Sequence, residues 1–162
     1  MRRSVAYCVA TAFVAASGAA HAATATTSFQ VQLTIQAQCL INSASTLNFG
    51  TQGVLSANVD QTSAIQVQCT STTPYNIGLD AGTGAGATVT TRKLTGGGAT
   101  INYSLYSDSA RTSVWGNTIG TNTVASTGTG AAQSFTVYGR IPSQTTPAPA
   151  TYTDTITVTV TY

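Results

Sequence analysis

Residues 27–39 read TSFQVQLTIQAQC, from Thr27 to Cys39. The segment alternates without a break. Phe29, Val31, Leu33 and Ile35 fall on one face, and Gln30, Gln32, Thr34 and Gln36 fall on the other. A period of two predicts a half-buried β-strand, because successive side chains of an extended chain point to opposite faces. The apolar side chains are large and the polar ones uncharged. The segment also lies near an N-terminus, where chains commonly fray. A strand with so apolar a face needs something to lie against.

What precedes it reads as a secretory signal. Arg2 and Arg3 lead a mostly apolar run, Val5 to Ala16, too short to span a bilayer. Ala20-His21-Ala22 has the small-x-small form of a cleavage site. We expect a signal peptide over residues 1–22 and a mature chain of 140 residues; an uncleaved anchor is the alternative. Cleavage removes Arg2, Arg3, Cys8 and the only histidine, His21. Four basic residues (Arg92, Lys93, Arg111, Arg140) then face four acidic ones (Asp60, Asp80, Asp108, Asp154), for a mature net charge of zero. Nucleic acid and anionic lipid, which call for a basic face, are not expected partners. Near-zero net charge favours self-association.

The length suits one domain. Charged residues make up 6% of the chain, against the usual quarter, and Thr, Ser, Ala, Gly and Val dominate the mature region. That balance favours strands over helices. It also argues against disorder, which combines low hydrophobicity with high charge. Enzymatic activity is not expected. The mature chain has no histidine and no glutamate, and general acid–base work would fall on four scattered aspartates. Two cysteines survive, Cys39 and Cys69, most simply as one disulfide in an exported chain. A free-thiol or metal role is the weaker reading, since two thiols without histidine make no zinc ligand set. No cofactor and no metal site are expected.

Further strands follow. Thr46 to Gly50 reads as a short one after a turn over Asn42 to Ser45, and Thr51 to Thr62 as a loop. Ala64 to Cys69 puts Ile65, Val67 and Cys69 on one face. Tyr75, Ile77 and Leu79 share a face, as do Ile101, Tyr103 and Leu105. Thr88 to Leu94 is a candidate strand before the break at Gly96-Gly97-Gly98. Gly116 to Gly130 reads as a polar, flexible stretch, Ser134 to Ile141 as a strand, and Pro142 to Pro149 as a crossover. Thr151 to Tyr162 (TYTDTITVTVTY) puts Tyr152, Ile156, Val158, Val160 and Tyr162 on one parity, with threonines filling most of the other. About eight short strands with turns between them, and no amphipathic helix, predict a sandwich or barrel. Strong alternating strands at both ends of such a domain invite strand addition between subunits. Trp115, Tyr103 and Tyr106 admit two readings: a surface-binding aromatic patch, or Tyr103 in the core with Trp115 at a loop base. The second is preferred.

Taken in order, these pieces resemble the spore coat protein U domain family, and within it the Csu-type subunits of archaic chaperone–usher pili. The resemblance covers nearly the whole mature chain. It rests on the strand with Ile35 four residues before Cys39, on Leu47-Asn48-Phe49-Gly50, on Cys69, and on Asn102 to Asp108 followed by Ala110-Arg111-Thr112. Tyr138-Gly139-Arg140-Ile141-Pro142 and the run Tyr152 to Val160 complete it.

The resemblance implies an all-β, incomplete immunoglobulin-like sandwich lacking its last strand. In that family a periplasmic chaperone lends a strand, and the N-terminal strand of the next subunit replaces it at an outer-membrane usher. Carried over, residues 23–37 are the donor segment and residues 38–162 the pilin domain. The donor side chains are Phe29, Val31, Leu33 and Ile35. The acceptor groove is flanked by the final strand with Ile156, Val158, Val160 and Tyr162, and Cys39–Cys69 is the family disulfide. The implied partners are homologous pilin subunits, the chaperone and the usher. The implied place is a pilus at the surface of a Gram-negative bacterium, reached through the periplasm and serving attachment and biofilm formation. With 140 mature residues, a shaft or adaptor subunit is expected rather than a two-domain tip adhesin. The alternative is a secreted spore-coat or carbohydrate- and surface-binding module of the same fold.

Overall fold

The computed structural model describes residues 21–162, so the expected signal peptide lies, except for His21 and Ala22, outside the described residues. By its contacts the chain divides into a first unit ending at Thr34 and a second running Ile35–Tyr162. Of the first unit, residues 21–34 belong to no strand and are exposed.

The second unit carries eight strands, with no helix among the described residues. They are β1 (Cys39–Ala44), β2 (Val59–Cys69), β3 (Pro74–Leu79), β4 (Arg92–Gly96), β5 (Ala99–Tyr106), β6 (Val124–Thr127), β7 (Ala132–Ile141) and β8 (Val158–Thr161). Five form one sheet in the order β1-β2-β7-β5-β4, and three form another in the order β6-β3-β8. All pairings are antiparallel. Edge positions therefore fall to β1 and β4 in the first sheet and to β6 and β8 in the second.

Period-two patterning decides which face goes inside. Ile65 and Val67 of β2, Tyr75, Ile77 and Leu79 of β3, Ile101, Tyr103 and Leu105 of β5, and Val137 and Ile141 of β7 are all buried. Together with Trp115 they form one apolar core. Phe29, Val31, Leu33 and Ile35, with equally strong alternation, are exposed by 87%, 85%, 82% and 71%. The β4–β5 hairpin turns through Gly97 and Gly98, both at positive φ (54° and 76°). That is the backbone a two-residue primed turn needs and glycine supplies most easily. Cys39 and Cys69 face each other across the β1–β2 ladder and are bonded, with S–S 2.01 Å.

Several boundaries differ from the sequence reading. The strand expected over residues 27–39 is unpaired through Gln36 and Ala37, and the ladder begins beside Gln38, whose carbonyl accepts from the Thr70 amide and whose amide donates to the Thr70 hydroxyl. Asn42 to Ala44, expected as a turn, continues β1 past a bulge between Ile41 and Ser43, which keeps pairing alive in a polar stretch. Thr46 to Gly50 is not a strand, although Leu47 and Phe49 still turn inward. Strand β2 starts at Val59, inside the expected loop, because Val59 to Ser63 pair with the long β7. Strand β6 lies within the stretch read as flexible; its small residues pair with β3. Residues 151–157 carry only an isolated bridge, Thr95 to Thr153.

Trp115 is the only tryptophan and is buried, so its fluorescence reports the core. Replacing both Cys39 and Cys69 by alanine should lower stability by about 2–5 kcal/mol. Urea unfolding followed at Trp115 checks this through a lowered midpoint.

Candidate functional site: an apolar groove between two sheet edges

The core is open along one side. Two adjoining hollows of about 880 and 290 Å³ share Leu47, Phe49, Leu94 and Asp154 in their linings. One wall is the chain that leaves β1, from Ala44 to Leu55. The other is the chain that enters β8, from Thr146 to Val158. Between them the floor is core: Ile65, Tyr103, Leu105 and Val137 under the smaller hollow, and Ile101 and Ile141 under the larger.

The first wall follows from sequence. Leu47 and Phe49 alternate with exposed Thr46, Asn48 and Gly50, so an extended backbone turns both apolar side chains toward the sheet. They settle over Gly139, where a Cβ would meet Leu47 Cδ1 at 2.7 Å and Phe49 Cζ at 3.0 Å. Phe49 also meets the Tyr103 ring edge-on, with centroids 6.2 Å apart. The backbone groups of Thr46, Leu47 and Asn48 make no hydrogen bond to another described residue. This wall is an extended chain with unfilled hydrogen-bonding capacity.

The second wall changes sheets. Thr153 exchanges backbone hydrogen bonds with Thr95 of β4, at 3.0 and 2.8 Å, while Val158 to Thr161 pair with β3 in the other sheet. The crossing between them is pinned by two carboxylates. Asp154 Oδ1 accepts from the Thr83 amide and hydroxyl, both at 2.8 Å, and Asp154 Oδ2 accepts from the Tyr103 hydroxyl at 2.7 Å. Asp80 Oδ1 accepts from the amides of Gly82 (3.0 Å) and Thr157 (2.9 Å), and the Asp80 amide donates to the Thr157 carbonyl. Burial works against the charge on Asp80, but hydrogen bonds from Thr157 and Gly82 and the field of Arg92 outweigh it, leaving its pKa below the usual carboxylate value. Burial, and then the bond to Asp154, pushes the Tyr103 hydroxyl well above its ordinary range.

Behind the crossing lies Arg92, fully buried. Its guanidinium donates to the carbonyls of Asp80 (2.8 Å), Val89 (2.8 Å), Leu79 (3.1 Å) and Trp115 (2.8 Å). Burial lowers its pKa, and the nearby Tyr103, Asp80 and Asp154 work in the opposite direction. A guanidinium stays protonated in proteins, so the four carbonyls are held by a permanent charge. Trp115 completes the junction by donating from Nε1 to the Ile77 carbonyl at 2.9 Å.

The residues singled out from sequence are distributed as follows. Val158 and Val160 lie on the half-buried parity of β8, and Ile156 precedes the strand on that same parity. Ile156 and Val158 line the groove; Tyr162 is 58% exposed beyond the strand. Trp115 and Tyr103 are buried, so the exposed aromatic patch is not formed and the loop-base reading of Trp115 holds. The Asp108 carboxylate caps the amides of Thr112 and Ser113, and Arg111 lies 3.3 Å from Asp60, which also takes a two-pronged bond from Arg140. Sequence reading missed Asp80, Arg92 and Asp154 as supports of the wall. The signal for Asp154 was present: it is a charge on the same parity as Ile156, Val158 and Val160.

An antiparallel two-sheet protein with a groove between the chain that leaves β1 and the chain that enters β8 is the class this architecture defines. The spore coat protein U domain model matches residues 25–159, and the chain belongs to that family. It is 33% identical to Protein U of Myxococcus xanthus, over all of this chain and 98% of that one. Among solved structures it is similar to a chain in the chaperone–tip adhesion subunit pre-assembly complex of the archaic chaperone–usher Csu pili of Acinetobacter baumannii. The TM-score is 0.58 at 24% identity, and the likeness is one of fold. The match covers 80% of this chain and 40% of that one.

Gly96 lies where the second wall passes β4, and a Cβ there would overlap the Thr151 carbonyl. Gly96→Ala should displace the wall and destabilise the domain by roughly 1–3 kcal/mol, as overpacking does. Urea unfolding read at Trp115 checks it; an unchanged midpoint would show that the wall yields freely.

Proposed function

We propose that this protein is a structural subunit of a chaperone–usher pilus, assembled by donor-strand exchange. One observation carries the reading. The same chain holds a groove beside the free edge of β8, floored by core side chains, and an uncharged, alternating segment whose four large side chains are 71–87% exposed. Groove and segment answer each other chemically. Burying Phe29, Val31, Leu33 and Ile35 is worth about 1.5–3 kcal/mol each, or roughly 6–12 kcal/mol before entropy costs. The free edge of β8 and the unpaired backbone of Thr46 to Asn48 supply ladder partners.

On this reading the sandwich lacks its last strand, and residues 23–37 of one subunit complete residues 38–162 of the next. Ile156, Val158, Val160 and Tyr162 flank the inserted strand. A periplasmic chaperone covers the groove until an outer-membrane usher exchanges it for the next subunit. The fibre stands on the surface of a Gram-negative cell, where attachment and biofilm formation are its uses. The role is structural rather than catalytic, and exchange of one strand for another needs no nucleotide. The chaperone-complexed fold neighbour supports the pilus reading. The likeness to Protein U supports a second, in which a secreted coat layer is built with the same joint.

The test is the state of the exported protein, made with and without its candidate chaperone and run on unheated and boiled SDS gels. A ladder that survives unheated SDS and collapses on boiling is expected, since interlocked strands come apart slowly. Leu33→Asp should reduce that ladder at least about tenfold while leaving the chaperone-bound monomer, because a buried carboxylate opposes insertion. A stable monomer made without chaperone, carrying no ladder, would overturn the reading.

A further inference from the structure

Asp80 and Asp154 occupy an unusual place. The final segment leaves one sheet at Thr153 and joins the other at Val158, so residues 154–157 bridge the sandwich along the lip of the groove. Among the described residues, the backbone bonds that tie this bridge to the body are few, the Asp80 amide to the Thr157 carbonyl being one. Side-chain carboxylates do the rest. Asp80 holds the Thr157 amide, and Asp154 reaches back to Thr83 and Tyr103. Both are referred to a rigid point, because Arg92 grips the carbonyls of Leu79 and Asp80. The loop that receives them is shaped to admit a carboxylate: a Cβ on Gly82 (φ 79°) would overlap Asp154 Oδ2.

We infer that Asp80 and Asp154 are positioning residues that latch the groove's second wall open, so that the wall is in place before a strand arrives. The inference rests on the reading that the groove receives a strand. Without the latch, the apolar side chains of the lip, Ile156 and Val158, which are half-buried against the core, are free to settle deeper into the hollow. An entering strand must then lift them out. Preorganisation of this kind acts on the rate of capture more than on the fold, which the core and Arg92 maintain.

The latch has a chemical signature. A carboxylate that accepts several hydrogen bonds does so when ionised, and protonation takes away acceptor capacity. For Asp80, whose pKa is depressed in the folded chain, the contribution is present above the unfolded carboxylate value. It is lost as pH falls through the lower folded value. The groups facing the latch are Arg92, which stays charged, and Tyr103, which stays neutral across this range, so Asp80 supplies its acid dependence. Asp60 and Asp108 bond elsewhere, to Arg140 and to Thr112 and Ser113.

The experiment uses the exported full-length chain and a fluorescent peptide of residues 23–38, with capture rates followed by anisotropy from neutral pH to about pH 3. Wild-type protein that never captures the peptide defeats the strand-exchange reading itself. Given capture, Asp80→Ala and Asp154→Ala should slow it at least about tenfold while the Trp115 emission stays native; native emission with wild-type rates overturns the latch. Should the alanine variants fail to fold, the double variant Asp80→Asn/Asp154→Asn decides. It retains amide acceptors and should capture within about threefold of wild type at neutral pH, with the acid fall in rate largely removed. A double variant with the wild-type pH profile overturns the latch as well.

Discussion

The constraint on which this structure turns is the free edge of β8. An antiparallel sandwich buries its core by closing two sheets over each other, and each sheet must end somewhere. Here one sheet ends at β8 after three strands, while the other has five. The floor of the groove is the apolar face of the larger sheet, whose side chains lie buried beneath the two walls. The extended chain of Thr46 to Gly50 covers a share of it with Leu47 and Phe49, but without the hydrogen bonds that would make it a strand. A free edge beside an apolar floor is a template for one more strand. The exposed segment around Leu33 has the composition to fill it.

The wall architecture shows how such an opening is kept from collapsing. A buried arginine without a salt bridge is costly unless every donor finds a partner. Arg92 finds four carbonyls at the point where β3 ends, where the Gly/Ala-rich loop begins and where Trp115 seats. No side-chain nitrogen or oxygen that is buried among the described residues lacks a partner. Loop, carboxylates and crossing wall are thus referred to one fixed charge, and the groove's second wall takes its place from polar bonds behind it, as the first takes its place from the packing of Leu47 and Phe49.

Much of this was legible in the sequence because period-two patterning survives wherever a strand has one wet and one dry face. Ile65, Val67, Tyr75, Ile77, Leu79, Ile101, Tyr103 and Leu105 could be assigned inward from alternation alone, and all are buried. The errors have physical causes. Strand β6 (Val124–Thr127) is made of small residues at an edge, with too little apolar contrast to register as alternation. Strand β1 runs through a bulge at Asn42, and a bulge breaks the period on which such reading depends. The supports of the groove are polar groups bonding to backbone, and backbone carbonyls have no sequence signature. Only the geometry shows that Arg92, in a weak-looking stretch, reaches four of them.

The segment of residues 27–37 alternates most cleanly of all, yet it belongs to no strand. Patterning reports the environment a segment is built for, not the environment it has in a single chain. For most segments of a monomer the two coincide. Where they part, an apolar face is left in water at a cost of order 25 cal/mol per Å². Such a face is retained only if some state of the protein covers it. On the strand-exchange reading, that cover is the groove of another subunit, with its floor of aliphatic and aromatic side chains. On that reading the mismatch between pattern and place is the most informative feature of this sequence, because it marks a segment patterned for a neighbour rather than for its own domain.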